Sequence, residues 1–347
     1  MDVLFQANIG IGVNLMEKSK IREFGGFLPI DSSFQPFYKE NTFQQILELN
    51  LARNAIIEAF RDSNWDTLWL PIYTCKSVFD AVKKAGIKYR SYNIKENFLP
   101  DIKHLPENHG ILITNYYGIF DEKRYEQFLE LYSNIIFDNT QSFYQRPVRK
   151  KHVYNVYSPR KFFGVTDGAY LICERFNYSH AYKKDYSFNR AEYLFQSTEK
   201  GTNAVYDNYL KAENELSESA PLEMSELTKS LLGRIDYESV QRKRNHNFSI
   251  LAKKLSRYNG LSISINSVSP MVYPLLIDTP KKNFRKYLVE NKLYIPQWWK
   301  WVLDNPQSNS FEKKLSQHLY PLPIDQRYNE EDMKCMIEIV VGGLENG

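Results

Sequence analysis

An α/β fold with a mainly parallel sheet, followed by a smaller α+β C-terminal portion, is what the sequence predicts. Three observations lead there. From Leu51 to Leu171, helix-spaced segments alternate with short strand-like runs. Some of those runs are almost wholly apolar and close on a polar residue, as in Asn134-Ile-Ile-Phe-Asp138, which suits strands buried in a sheet covered by helices. After Gly260 the pattern shifts to alternating runs with helices gathered behind them.

The elements follow in order. Residues 52–62 are helical. Thr67-Leu-Trp-Leu-Pro71 is an apolar strand stopped by proline. Lys76 to Ala85 returns to helical spacing, and Gly86 suits its C-terminal cap. Ile87 to Ile94 and Gly110 to Asn115 are strands, Asp121 to Tyr132 a helix, and Asn134 to Asp138 a strand. Val153-Tyr-Asn-Val-Tyr157 and the run Gly168 to Cys173 flank a turn that carries Lys161. Residues 178–220 are polar and tyrosine-rich, a peripheral helical excursion. Met224 to Gly233 and Tyr237 to Tyr258 are helices, the second long and charged. Leu261 to Ile265 and Met271 to Ile277 are strands; Asn283 to Asn291 and Glu330 to Val341 are helices. The division this suggests is a large domain over 16–235 and a small one over 236–347. Residues 1–15 contain Leu-Phe-Gln ahead of Met16 and read as a tag or leader, with a native N-terminal strand as the alternative.

Composition narrows the function classes. A net charge of +4 on 347 residues gives no reason to expect a nucleic-acid partner. No apolar run approaches the length of about 18 residues that a membrane span needs. Three widely spaced cysteines, Cys75, Cys173 and Cys335, suggest no disulfide framework and fit a reducing cytoplasm. The histidines and cysteines lack metal-ligand spacing, so no metal site is expected. The basic run Arg146, Arg149, Lys150 and Lys151 reads as a solvated turn, with diphosphate attraction as the alternative.

Three places carry candidate chemistry. Lys161 sits three residues after Ser158 between two β-favouring runs, which suits an amine that forms an imine with a hydroxyl close by; a solvated surface lysine is the plainer alternative. Asp138 closes a strand at the end where α/β sheets bind ligands. A carboxylate there can face the ring nitrogen of pyridoxal phosphate while a lysine holds its aldehyde; a turn cap is the alternative. Leu51-Ala-Arg-Asn-Ala-Ile56 opens a helix whose free backbone N–H groups suit a phosphate; an ordinary amphipathic helix is the alternative.

In this order the motifs resemble the DegT/DnrJ/EryC1/StrS aminotransferases, which have the aspartate-aminotransferase fold (pyridoxal-phosphate fold type I). The matching runs are LARNAI from Leu51, Pro71-Ile-Tyr-Thr74, Asn115-Tyr-Tyr-Gly118, Asp138-Asn-Thr-Gln141, Ser158-Pro-Arg-Lys161 and Asp167-Gly168. The resemblance covers most of the chain from about residue 20 onward. It implies a homodimeric enzyme that binds pyridoxal 5'-phosphate and aminates a keto group of a nucleotide-activated sugar, with glutamate a plausible donor. Lys161 would hold the cofactor and move protons. Asp138 would keep the ring nitrogen protonated, and Gln141 would meet the ring hydroxyl. The phosphate would rest on the backbone of Ala52, Arg53 and Asn54 with the Ser158 hydroxyl.

The sequence also departs from the family. Cys75 stands where an aromatic normally stacks on the ring, and Tyr73 is the candidate replacement, a core tyrosine being the alternative. Pro221-Leu-Glu-Met224 replaces an Asn-x-Arg-Met segment that reaches the partner subunit's phosphate, and the usual histidine in the lysine strand is missing. The run Tyr294-Ile-Pro-Gln-Trp-Trp-Lys-Trp301 is either a stacking surface for a sugar or base, or core. The pattern from Leu319 to Tyr328 reads as structural. Two rivals remain: another pyridoxal-phosphate chemistry such as a sugar dehydratase, against which Lys161 counts, and a non-catalytic scaffold.

Overall fold

The computed structural model describes residues 36–41, 44–179, 181–263 and 269–345. The leader reading of residues 1–15 and the last two residues of the strand expected at Leu261–Ile265 fall outside these residues, and Leu261 to Ile263 lie in a bend and irregular chain rather than in a strand. The strands are β1 (Gln45–Leu49), β2 (Thr67–Pro71), β3 (Tyr89–Tyr92), β4 (His109–Thr114), β5 (Ile135–Asp138), β6 (Val153–Tyr157), β7 (Ala169–Cys173), β8 (Val272–Leu276) and β9 (Leu319–Pro323). The helices are α1 (Ala52–Ser63), α2 (Lys76–Lys84), α3 (Glu122–Leu131), α4 (Glu192–Lys200), α5 (Tyr206–Ser217) and α6 (Glu226–Leu232). Beyond them come α7 (Tyr237–Leu255), α8 (Phe284–Glu290), α9 (Trp301–Asp304), α10 (Ser310–His318) and α11 (Glu330–Glu345).

Seven strands form one sheet in the order β1-β7-β6-β5-β4-β2-β3. The five from β6 to β3 are parallel, and β7 runs against both its neighbours. Because β7 alone is reversed, the ends of β1, β2, β4, β5 and β6 from which the chain emerges all lie along one rim, together with the start of β7. The expected mainly parallel sheet is therefore present, with one reversed strand where the chain turns back after Lys161.

Period-two geometry explains why these runs are apolar throughout. Leu112, Ile136, Val156 and Leu171 pack with Ala55, Ile56 and Val82 from α1 and α2 on one face. Ile111, Ile113, Ile135 and Phe137 face the other way and pack with Tyr125 and Phe128 of α3. Successive side chains of a strand point to opposite faces, so a strand covered on both sides needs an unbroken apolar run.

Downstream of α7, β8 and β9 form a two-stranded antiparallel sheet. Pro274 and Pro321 face each other in it. Neither ring nitrogen can donate, which two strands with no further neighbours among the described residues tolerate. This pair packs against α7, α8 and α11 through Phe248, Leu251, Leu275, Leu322 and Met333. Buried Arg244 on α7 ties it to the large sheet. Its guanidinium donates to the carbonyls of Pro270 (3.1 Å) and Met271 (2.6 Å) and lies 4.6 Å over the Phe162 ring. Burial lowers its pKa to about 10, against the pull of Asp325.

Candidate active site

The rim of the large sheet gathers the sequence-separated motifs. At the end of β5, Asp138 is only 5% exposed. Its Oδ1 accepts the Thr140 N–H at 3.0 Å, so the carboxylate shapes the turn that presents Thr140 and Gln141. Its Oδ2 lies 3.5 Å from the Thr114 hydroxyl, at the outer limit of a hydrogen bond. Gln141 is buried, and its Oε1 accepts the Tyr117 N–H at 2.6 Å. That amide is presented by a tight turn at the end of β4 in which Tyr117 and Gly118 both have positive φ, 62° and 80°. A Cβ on Gly118 would lie 2.3 Å from the Gln141 carbonyl oxygen, so only glycine lets the two turns meet.

Beyond β6, Ser158 leads into one 3₁₀ turn, Pro159–Lys161, with the fixed φ of Pro159 at its start. The next residue is clamped: the Phe162 amide donates to the Pro159 carbonyl at 2.9 Å, and its own carbonyl accepts from Gln326 Nε2 at 2.8 Å. Lys161 presents side-chain surface to a cavity while its amine sits deep among protein atoms. The amine donates to Thr140 Oγ1 at 2.9 Å. Burial lowers its pKa; the Asp138 carboxylate opposes that shift, and Arg160 adds to it.

A single cavity of about 270 Å³ is lined by Ala52, Arg53, Asp138, Gln141, Ser158 and Lys161. Arg160 joins them, so three cations face one carboxylate, a balance that favours an anionic ligand. Ala52 and Arg53 open α1, whose first N–H groups have no intrahelical acceptor, and its N-cap residue, Leu51, offers no side-chain acceptor to them. Burial lowers the Arg53 pKa as well. Arg160 is held by an ion pair with Glu213.

Two candidates lie elsewhere. Asn54 is turned away: its N–H bonds the Leu51 carbonyl at 3.1 Å, its side chain bonds Asn50, and it lines a separate cavity beside α2. Tyr73 is fully buried, its hydroxyl 2.8 Å from that of Tyr117 and its ring edge-on to Trp299 at 4.5 Å. The reason is local. The strand ends at Pro71 and residues 72–74 bend, so the alternation that would aim Tyr73 outward no longer applies. Cys75, Trp298 and Trp299 line the cavity instead. Trp298 stacks on Tyr117 (5.7 Å, 13°), and Trp301 donates its indole N–H to the Thr74 carbonyl at 2.9 Å. The tryptophan run is thus both packing and cavity wall.

Two further motifs are structural here. Asp167 is fully buried and accepts from the Ser225 N–H (2.8 Å) and hydroxyl (2.7 Å) and from Thr228, anchoring α6. Pro221–Met224 runs beside the end of β1, where Asn50 donates to the Leu222 carbonyl and Met224 to that of Glu48. Lys150 and Lys151 border another cavity, on the opposite rim with Val153 and Cys173. Among the described residues no cluster of three or more His, Cys, Asp or Glu residues could hold a metal ion, and no helix is long and apolar enough to cross a membrane.

Comparison of the whole fold with solved structures now bears on this arrangement. Sugar aminotransferase CalS13 from Micromonospora echinospora superposes with a TM-score of 0.59 at 11% identity, over 86% of this chain and 87% of that one. DesV from S. venezuelae gives 0.59 at 14%, over 87% and 85%. A DegT DnrJ EryC1 StrS aminotransferase from Brucella abortus gives 0.58 at 11%, over 87% and 86%. This chain has the sugar-aminotransferase fold. No family model and no curated protein matches its sequence. At such identities the likeness fixes the fold, pyridoxal-phosphate fold type I, and the chemistry rests on the residues at the rim.

Thr140, Trp298 and Trp299 carry no role in the sequence analysis as single residues. Thr140 sits inside the Asp138–Gln141 motif, so its position is a signal. The two tryptophans lie far along the chain from that motif, and nothing local ties them to the rim of the sheet.

Proposed function

We propose that the chain is a pyridoxal-phosphate aminotransferase that takes an amino group from a donor such as glutamate and delivers it to a keto group on a nucleotide-activated sugar. The observation that carries this is the shared cavity: a lysine amine, a buried carboxylate, and a helix start with Arg53 and Ser158 all face one space. The residues fit the cofactor. The N–H groups of Ala52 and Arg53, the Arg53 guanidinium and the Ser158 hydroxyl suit its phosphate. Asp138 suits its ring nitrogen and Gln141 its ring hydroxyl, while Lys161 suits its aldehyde. Trp298 and Trp299 supply aromatic walls in place of Tyr73.

Pyridoxal phosphate supplies an aldehyde that takes up amino groups and a ring that accepts electrons. The protein supplies the rest. Asp138 holds a proton on the ring nitrogen by its charge. Lys161, with a pKa pulled below the ordinary lysine value, carries protons at closer to neutral pH than a solvated lysine would. Thr140 aims the amine. The reading extends to a homodimer and to a division of the chain near residue 236 between a cofactor-holding part and a smaller C-terminal part.

Absorption spectroscopy tests this directly. The purified protein mixed with pyridoxal phosphate should gain a band near the visible edge, and Lys161→Ala should lose it. Glutamate should then shift the band. A panel of keto-sugar nucleotides should restore it, which would separate a transaminase from a scaffold or a dehydratase. No band in the wild-type protein removes the enzyme reading.

A further inference from the structure

On the rim opposite the Lys161 cavity lies a larger one, of about 920 Å³, at the start of β6 and the end of β7. Two short segments border it. Lys150, Lys151 and His152 come from the turn that enters β6, and Glu174 and Arg175 from the loop that leaves β7. Arg146 and Arg149 of the same basic run are not part of its wall. Both segments are fixed by hydrogen bonds. The entering turn closes where the Val153 N–H donates to the Lys150 carbonyl at 3.1 Å, and the His152 carbonyl accepts the Ile135 N–H at 3.1 Å. The leaving loop is held where the Phe176 N–H donates to Gln45 Oε1 at 2.8 Å. Next to it, the Asn177 and Tyr178 N–H groups donate to Asp62 Oδ1 at 2.9 and 3.1 Å.

The charges here are unbalanced. Lys151, His152 and Arg175 make no side-chain hydrogen bond or ion pair with another described residue, and Lys150 reaches only the Leu129 carbonyl, at 3.5 Å. Glu174 is the one carboxylate among the described wall residues. Asp62 lies behind the wall and is occupied by the two backbone N–H groups and by the Tyr154 hydroxyl at 2.8 Å. Cations brought to one recess from two sides repel each other, and a recess concentrates their field. His152 adds a second sign. It holds φ at 63° in the third position of its turn, where a positive φ ordinarily selects glycine or asparagine. An imidazole kept there at a backbone cost, lining a cationic cavity, suits a side chain that contacts a ligand.

We propose that this cavity binds a small oligophosphate, a molecule with two or more linked phosphate groups, gripped by Lys150 and Lys151 from one side and Arg175 from the other, with His152 as a further donor. The cavity has the volume of a small-ligand site. A net charge of only +4, with cations gathered in a recess, suits a compact anion rather than a nucleic-acid strand. The site is separate from the aminotransferase reading and does not depend on it. Strand β6 runs from Val153 in this wall to Tyr157 beside Ser158, so about 17 Å of strand lies between the two cavities.

Calorimetric titration of the full chain with inorganic phosphate, pyrophosphate and tripolyphosphate, at about 0.15 M salt to screen diffuse attraction, tests it. Affinity should rise in that order. In Lys151→Ala/Arg175→Ala the dissociation constant for tripolyphosphate should rise about tenfold or more, and Lys151→Arg/Arg175→Lys, which keeps both charges, should recover most of the loss. His152→Gly should melt higher than the wild type yet bind tripolyphosphate more weakly. Arg53→Ala, in the cavity beside Lys161, should leave the constant unchanged. Lys151 and Arg175 are exposed, and thermal melting establishes that each variant is folded. The assignment is overturned if tripolyphosphate does not bind the wild type, or if the alanine pair binds as the wild type does. It is overturned too if Arg53→Ala weakens binding as much as the alanine pair does, which would place the anion beside Lys161.

Discussion

Lys161 shows how one side chain can be placed for chemistry at the expense of stability. Burial penalises its ammonium form more than Asp138 supports it, so its folded-state pKa lies below the unfolded value. Between those two values the unfolded chain binds more protons, and stability rises with pH across that window. Below the folded-state pKa the cost of the buried charge is fully present. Lys161→Met removes it. In the cofactor-free protein this variant should melt higher than the wild type near about pH 7, with the gap closing as pH nears the ordinary lysine value of about 10.4. Equal melting temperatures at both pH values would mean that the amine is hydrated. Thr140 is the second residue of interest, because its Oγ1 accepts from the amine at 2.9 Å. Thr140→Val should weaken pyridoxal-phosphate binding about fivefold, the worth of one hydrogen bond, and Thr140→Ser should recover it, as read by titrating the absorption band.

Among the elements, the turn after β4 positions Gln141 at the cavity. Tyr117 and Gly118 both take positive φ there, and the turn amide holds Gln141. Gly118→Ala adds the dihedral cost and drives a Cβ against the Gln141 carbonyl at 2.3 Å. Gly86 provides the control, since its φ is also positive, 69°, but nothing lies within 4 Å of the added Cβ. Denaturant unfolding should show a loss of about 1 kcal/mol for Gly86→Ala and roughly 3 kcal/mol for Gly118→Ala. Equal losses would mean that the two turns have room to part. The elements also mark where sequence reading succeeds. β5 is visible because Ile135, Ile136 and Phe137 must cover both faces of the sheet. Tyr73 misleads because the strand stops at Pro71 and the period of two stops with it.

For the whole molecule, Arg244 ties together elements far apart in the chain. One guanidinium joins α7, the segment entering β8, and Phe162 behind the lysine turn. It also reaches Gln326, which in turn holds the Phe162 carbonyl. Arg244→Met keeps much of the volume and leaves the Pro270 and Met271 carbonyls without that donor. A loss of about 3 kcal/mol is expected, with an unchanged dependence on denaturant and weaker cofactor retention. Unchanged stability would show that water replaces the guanidinium. The whole-molecule view also explains why the cavity is assembled from distant pieces. Residues 52–53, 138–141, 158–161 and 298–299 meet only because the parallel strands end on one rim and the tryptophan segment crosses back over it.

The alternation of apolar runs and helical spacing, the polar residues that close the strands, and the order of the motifs were all written in the sequence. They determined the fold class and named Lys161, Asp138, Gln141, Ser158, Ala52 and Arg53, because each depends on chemistry within a few residues of chain. Tertiary structure alone decided that these six face one space, that Asn54 and Tyr73 do not, that Thr140 receives the lysine's hydrogen bond, and that tryptophans from beyond α8 form the wall. Those outcomes depend on how strands are ordered and how far the chain travels between them, and no local pattern encodes the distance between residues that meet only after the sheet has closed over them.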